Sequence, residues 1–215
     1  MRILTTTLAL LVIMAVSTMA QITSSSHDFS SSTWNTSGQI CITCHAPHNA
    51  AQKTTGPLWN HAVSTASFTM YDNTSTGANK TTGTQNSTPP TTLSAASKVC
   101  MSCHDGTVGL GSFGSTTNAT NYLTGQSLLG TALDDDHPIG ITYDANLISA
   151  DGGLRALSYS VTFGNSSTGT IGGHMLYNGK VECASCHDVH NKHGQTSLLV
   201  KSNAASALCL TCHIK

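Results

Sequence analysis

Apolar and polar residues alternate most clearly in the second half of the chain. Residues 157–163 read Leu-Ser-Tyr-Ser-Val-Thr-Phe, which has the period of a half-buried strand. Farther on, the Asn-Gly within residues 177–180 predicts a tight hairpin that leads into Val181. Few other segments show any period. The pattern therefore predicts a mostly irregular, coil-rich chain with short helices and a few strands.

Two of the short helices are predicted from capping residues. Ser94 and Asn203 carry side chains that cap helix N-termini, and each stands directly before an Ala-Ala-Ser sequence. Between the predicted elements the chain is rich in Ser, Thr, Asn and Gly, which predicts loops. These loops cover residues 24–37, 73–90 and 112–124.

The N-terminus predicts a secretory signal peptide over residues 1–20. Arg2 supplies the positive charge, residues 3–16 are apolar, and residues 18–20 offer small side chains for cleavage before Gln21. The apolar run is short for a membrane span and no second one follows, so we expect no transmembrane segment in the mature chain. A retained N-terminal anchor is the alternative. We expect a secreted protein, extracellular or at the cell surface, with the periplasm as the alternative.

Composition raises a question about the core. Of the 215 residues only 9% are charged and 5% are aromatic, and the formal net charge is −1. Such a polar chain buries little apolar surface to offset its conformational entropy, so we expect something other than side chains to supply most of the core. The charge balance offers no basic stripe for phosphates, which argues against nucleic acid as a partner.

Eight cysteines form four C-x-x-C pairs, and a histidine follows every pair. The pairs are Cys41/Cys44, Cys100/Cys103, Cys183/Cys186 and Cys209/Cys212, and the histidines are His45, His104, His187 and His213. Two thiols at this spacing add to the vinyl groups on one edge of a haem, and the next residue lies under the iron as its proximal ligand. Disulfides, zinc sites or redox dithiols also use paired cysteines, but none of them requires the histidine. We therefore predict four haem c groups, which would serve as the missing core.

The flanks of the motifs reveal an internal duplication. Residues 41–49 and 183–191 both read C-x-x-C-H-x-x-H-N, and residues 95–104 and 204–213 both read A-A-S-x-(V/L)-C-x-x-C-H. The chain thus consists of two copies of one paired-haem unit. We place the first unit at residues 21–130 and the second at residues 131–215.

Seven histidines outside the motifs can supply a sixth iron ligand, so bis-histidine haems are expected. The predicted distal ligands are His48, His61, His137, His190 and His27. His48 and His190 lie too close to their own proximal histidines to reach the other face of the same porphyrin. We expect His48 to bind the haem of Cys100/Cys103 and His190 that of Cys209/Cys212. His174 and His193 are expected to be ordinary surface or hairpin residues.

On these residues the chain resembles the doubled C-x-x-C-H multihaem cytochromes of metal-reducing bacteria, and within them the OmcE type, the extracellular tetrahaem cytochromes that polymerise into filaments. The resembling segments are residues 27–30, 41–49, 58–61, 137–140, 183–191 and 209–213. The resemblance implies four stacked haems in a wrapper of two pseudo-repeats, with subunits joined end to end. It also implies an iron ligand donated by an adjacent subunit, for which His27 is the candidate.

We therefore predict an electron-transfer protein rather than an enzyme. The predicted partners are further copies of the chain in a filament, together with redox proteins or external electron acceptors. A soluble periplasmic tetrahaem shuttle is the alternative. A multihaem reductase is less well supported, because it needs an open iron and a polar distal pocket, whereas this chain has histidines to spare.

Overall fold

The computed structural model describes residues 22–48, 50, 56, 58–72 and 86–214. Over these residues the backbone is mostly coil with short helices and a few strands, which confirms the predicted fold class. The predicted signal peptide at residues 1–20 and residues 73–85 of one predicted loop lie outside the described residues. No helix in the described ranges is long and apolar enough to cross a membrane.

Within the described ranges, four short α-helices and several single turns interrupt the coil. The helices are α1 (Ala95–His104), α2 (Ala145–Asp151), α3 (Cys183–Cys186) and α4 (Cys209–Cys212). Single turns of 3₁₀ or π geometry span Cys41–Thr43, Gly125–Ser127, Ile171–Met175, Thr196–Leu198 and Ala204–Ser206. As predicted, α1 begins after Ser94, whose hydroxyl accepts a hydrogen bond from the Ser97 backbone at 3.4 Å.

The helix predicted after Asn203 is wrong in its first half. Ala205 and Ser206 have φ values of 51° and 61°, in the left-handed region, so the chain turns there instead of continuing as a helix. Asn203 still accepts a hydrogen bond from the Leu208 backbone at 3.3 Å, just before α4. The same Ala-Ala-Ser sequence is helical in α1, where Ser97 is buried, whereas Ser206 is exposed. Packing therefore decides between the two conformations.

Two pairs of short strands are present in the described residues. Strands β1 (Thr69–Met70) and β2 (Ala132–Leu133) pair in parallel, and this pairing crosses the predicted boundary between the two units. Strands β3 (Ser160–Thr162) and β4 (Thr168–Thr170) pair antiparallel. The strand predicted at residues 157–163 is thus confirmed in its second half.

The predicted hairpin is confirmed. Tyr177 and Lys180 exchange backbone hydrogen bonds of 2.9 and 3.0 Å. Asn178 and Gly179 between them have φ values of 52° and 73°. Two central residues with positive φ define the turn type that matches the twist of paired strands. The turn directs the chain into Val181 and the third cysteine motif.

The second half of the chain has a larger side-chain core than composition suggested. Its buried cluster comprises Tyr143, Leu147, Leu154, Val161, Phe163, Ile171, Met175, Val181, Val200 and Leu208. The other cluster of buried apolar residues is small, consisting of Met70, Met101 and Leu133. The expectation of a sparse side-chain core therefore applies to the first unit and not to the second. Strands β3 and β4 and helix α2 gather apolar residues that are scattered in the sequence.

Ile171 tests this core, because its side chain is fully buried. We expect Ile171→Ala to lower the free energy of unfolding by about 3 kcal/mol, from lost apolar burial and the cavity left behind. Thr168→Ala, at an exposed position of β4, is the control and should change it by less than about 0.5 kcal/mol. Urea unfolding of the purified protein measures both. Equal effects would show that the cluster does not stabilise the fold.

Candidate haem-binding sites

The first and third motifs are held by the same backbone bridge. The histidine of each motif pairs antiparallel with a segment farther along the chain, His45 with Trp59 and His187 with Leu199. The leucine immediately before each partner has a φ of 55°, which non-glycine residues rarely adopt. Two matching strained leucines show that the duplicated sequence folds into a duplicated structure.

The second and fourth motifs lie on helices. His104 is the last residue of α1, and His213 follows α4 directly. The fourth motif is held further by Arg155, whose Nε donates to the carbonyl of Leu210 at 2.9 Å. The hydroxyl of Tyr143 in turn donates to the carbonyl of Arg155 at 2.8 Å. Polar side chains thus fasten this motif to the core of the second unit.

Each of the four motifs lies close to the next one in the sequence, and we refer to this succession as the row. Cys44 raises the pKa of Cys103, Cys212 raises that of Cys186, and Cys100 and Cys183 affect each other. Cys41 and Cys209, in the first and last motifs, are exposed, whereas the other six cysteines are partly buried. The chain therefore places each motif beside the next one.

Burial keeps several of these thiols protonated. It raises the pKa of Cys44 to about 11, of Cys103 to about 12 and of Cys186 to about 11, and the neighbouring thiols add to the effect. Metal-binding and redox-active cysteines act as thiolates. In addition, the described residues contain no group of three or more His, Cys, Asp or Glu side chains arranged to hold a metal ion. Burial thus favours the neutral thiol at Cys44, Cys103 and Cys186, whereas a hydrogen bond with Cys100 lowers the pKa of Cys183 to about 7.

Three motif histidines face a second histidine ring at nearly the same distance. The ring centroids are 6.2 Å apart for His45 and His190, 6.1 Å for His104 and His27, and 6.4 Å for His213 and His137. Two imidazoles bound on opposite sides of one metal, each through a bond of about 2 Å, have centroids roughly 6 Å apart. Each pair therefore has the spacing that one central iron requires.

Backbone carbonyls fix the orientation of three imidazole rings. Two belong to the paired histidines His104 and His137, and the third belongs to His187 of the third motif. The Nδ1 atoms donate from His104 to the Ser127 carbonyl at 2.8 Å, from His137 to that of Pro138 at 3.0 Å, and from His187 to that of Ser197 at 3.0 Å. A hydrogen bond from Nδ1 places the proton there and leaves Nε2 as a bare donor atom for a metal. The backbone thus prepares these imidazoles for coordination.

The N-terminal arm carries His27 to His104 of the same chain. Asn35 holds the arm by donating to the carbonyls of Phe29 at 3.1 Å and Gln39 at 3.0 Å. Burial, and then the neighbouring imidazoles, lower the pKa of His27 to about 4, and its Nδ1 is buried without a hydrogen-bond partner. The ring is therefore neutral at physiological pH. The role of His27 toward an adjacent subunit, which the resemblance implies, stays a prediction.

His190 lies opposite a different motif histidine from the expected one, and His48 is not the ring opposite His104. His190 faces His45 of the first motif and not the fourth motif, where His137 occupies the opposing position. The Asp188 carboxylate accepts a hydrogen bond from the His190 backbone at 3.2 Å, in a turn that follows the third motif. His48 is exposed, and the ring opposite His104 is that of His27.

His61, another expected distal ligand, is buried between the first two motifs. Its Nδ1 lies 2.8 Å from the Ala62 carbonyl, and its Nε2 lies 3.3 Å from the Leu110 carbonyl and 3.7 Å from the Cys103 sulfur. Burial lowers the pKa of this imidazole. No motif histidine ring is paired with His61 in the part of the chain that the structure describes, and its role as an iron ligand stays a prediction.

The two histidines expected at the surface differ from each other. His174 is exposed, and its Nδ1 accepts a hydrogen bond from the Thr170 backbone at 3.1 Å. His193 is buried, which corrects the expectation, because its ring stacks on Phe163 at 5.1 Å and its Nδ1 lies 3.1 Å from the side-chain oxygen of Asn165. The alternation of buried and exposed residues in β3 continues to Phe163, which is buried and provides the surface that covers His193.

His187 is the motif histidine without an opposing histidine ring among the described residues. Its Nδ1 donates to the Ser197 carbonyl at 3.0 Å, which leaves Nε2 without the proton. His187 also lies close enough to His27 to contribute to the lowered pKa of that imidazole, whose ring faces His104.

Apolar side chains beside the motif histidines fit a large flat group. Five large hydrophobic residues are 41 to 52% exposed in segments that adjoin these histidines: Leu58, Leu128, Leu129, Val189 and Ile214. Exposed apolar patches of this kind normally cover another apolar surface. Together with the paired thiols and the opposed rings, they fit a covalently attached haem.

Comparison with known families supports this fit. Residues 174–215, which contain the third and fourth motifs, match the family model described as the doubled CXXCH motif. No curated protein matches the sequence. The matched pattern is consistent with a multihaem c-type cytochrome, and the motifs imply covalently bound haem c with a role in electron transfer.

The matched region provides a direct test of covalent attachment. We expect the Cys209→Ala/Cys212→Ala double variant to lose one haem, because both thioether bonds of that motif are removed. Mass spectrometry of the denatured chain measures the loss whether or not the variant folds. Ser202→Ala, at an exposed site nearby, is the control and should keep the native haem content. An unchanged haem content in the double variant would contradict attachment at this motif.

Proposed function

We propose that this chain binds four c-type haems, one at each motif, and transfers electrons along them. The observation that carries the proposal is the row of four motifs with three opposed histidine pairs beside it. When bound, the haem irons supply one-electron oxidation and reduction. The chain's residues hold these centres side by side in the order of the sequence.

Three irons would be held by two histidines each. His45 and His190 take the first haem, His104 and His27 the second, and His213 and His137 the fourth. In a haem, two histidine nitrogens fill both axial positions of the iron. Such an iron exchanges electrons but has no open position at which to bind a substrate. These sites therefore favour conduction over catalysis.

The ends of the row support a filament of joined copies. Between the two units, the first cysteine of the second motif, Cys100, meets the first cysteine of the third motif, Cys183. The corresponding first cysteines at the ends of the chain are Cys41 and Cys209, and both are exposed. If two copies made the same contact as Cys100 and Cys183 make within the chain, Cys209 of one copy would meet Cys41 of the next. The row of motifs would then continue from copy to copy.

The charge balance agrees with permanent assembly. With 9 Lys and Arg against 10 Asp and Glu in 215 residues, the surface offers little long-range steering for transient docking. We place the filament outside the cell, since the N-terminus predicts export, with external electron acceptors or redox proteins at its end. A soluble periplasmic shuttle would use the same four haems without end-to-end contacts.

The third iron distinguishes the filament from a second candidate function. His187 has no opposing histidine among the described residues, and in the filament a neighbouring copy supplies that ligand. An open sixth position would instead suit a multihaem reductase at this haem. The two functions thus differ in the ligation of one iron.

Removing one distal histidine tests the ligand pairs. We expect His190→Ala to convert one of the four haems from low-spin to high-spin and to let it bind cyanide, because the first iron loses its sixth ligand. His174→Ala removes an exposed histidine bonded to backbone and should leave the spectrum native. Electron paramagnetic resonance of the oxidised protein measures both. A fully low-spin His190→Ala spectrum would contradict the pairing with His45.

Cryo-electron microscopy of the native purified protein tests assembly. We expect filaments with one uninterrupted row of haems and a six-coordinate third iron, because the exposed end motifs continue the internal junction. Uniform single copies with four haems would overturn the filament and leave the electron-transfer assignment standing. Carbon monoxide binding at one haem of those single copies would favour the reductase.

A further inference from the structure

A buried carboxylate lies where the two units meet. Glu182 immediately precedes the third motif, and its side chain is only 2% exposed. It accepts a hydrogen bond of 2.5 Å from the hydroxyl of Ser97 on α1. It also accepts one from the backbone of Ser185, which closes a capping box at the start of α3. Donors thus surround this carboxylate on both helices.

The same contacts place the carboxylate between the second and third haem attachments. The Ser97 hydroxyl that donates to Glu182 accepts a hydrogen bond from the backbone of Cys183 at 3.2 Å. Across the junction, Cys183 and Cys100 lie within thiol hydrogen-bonding reach. The negative charge of Glu182 also raises the pKa of Cys183, although other contacts dominate that thiol. Glu182 therefore acts electrostatically at the point where the two attachments meet.

No cation neutralises this charge within the described part of the chain. The ion pair found among the described residues joins His193 to Asp188, a carboxylate six residues after Glu182, and does not include Glu182. Lys180, the nearest basic residue in sequence, donates its Nζ to the Gly140 carbonyl at 3.1 Å. A buried charge without a counterion acts over longer distances than an exposed one, because less solvent screens it.

The duplication shows that this carboxylate is peculiar to one junction. Ile40 stands immediately before the first motif, at the position equivalent to Glu182, and it carries no charge. Ser206, the counterpart of Ser97, is exposed instead of buried. The sequence therefore introduces a buried negative charge at the centre of the row and omits it from the ends.

We propose that Glu182 tunes electron flow by lowering the reduction potentials of the haems attached at Cys100/Cys103 and Cys183/Cys186. The inference rests on the proposed function, since it assigns haems to those motifs. Reduction of a ferric haem adds one electron and removes one positive charge. A fixed negative charge nearby stabilises the ferric form and so makes the reduction less favourable. The charge of Glu182 then sets the reduction potentials of these two haems relative to those of the other two.

Spectroelectrochemical titration of the holoprotein tests this role. We expect Glu182→Gln, which keeps the shape and removes the charge, to shift two of the four one-electron couples to higher potential. Asp151→Asn removes the same charge from an exposed position and should shift no couple as far. Ser97→Ala keeps the charge and removes its main donor, so it should not raise the potentials.

The possible outcomes distinguish a failure of the tuning role of Glu182 from a failure of the proposed electron-transfer function. If Glu182→Gln leaves all four couples in place, or moves them no more than Asp151→Asn does, the tuning role is wrong while electron transfer stands. If Glu182→Gln and Ser97→Ala raise the same couples equally, the contact acts only through structure and the proposal is overturned. If the native protein shows fewer than four reversible couples, the proposed function itself fails.

Discussion

Opposed histidine rings organise the chain around them. Three pairs hold their centroids 6.1 to 6.4 Å apart, and the residues of each pair come from distant parts of the sequence. Such pairs tie the N-terminal arm, the central segments and both units together. In a chain with few charges and short helices, these contacts join segments that secondary structure leaves separate. Side-chain packing contributes most in the second unit, where a larger apolar cluster has formed.

Duplication explains how a small set of contacts serves four sites. The bridges of His45 and His187 share the same pairing and the same strained leucine before the partner residue. The second motif of each unit diverges, since α1 is a full helix while α4 is a single turn after a left-handed break. That difference coincides with position: α1 packs between units, and α4 lies at the end of the row. The internal junction also receives Glu182, so the two units are joined by a polar contact that the ends lack.

Local features were predictable from sequence, and long-range partners were not. The cysteine motifs, the Ser94 cap and the Asn-Gly hairpin depend on neighbouring residues, and the sequence displays them directly. The position of His190 opposite His45 depends on the approach of two distant segments, for which no local pattern exists. The burial of His193 likewise depends on its contact with Phe163, which follows β3 and is distant in the sequence. An acidic residue before the third motif was visible, but only the packing of α1 against α3 reveals its burial.

The most direct measurement is an anomalous-difference map at the iron absorption edge from crystals of the native holoprotein. The account predicts one iron midway between the rings of His45 and His190, one between His104 and His27, and one between His213 and His137. It predicts a fourth iron beside Nε2 of His187. Iron peaks away from these ring pairs, or ring pairs with no iron between them, would contradict it.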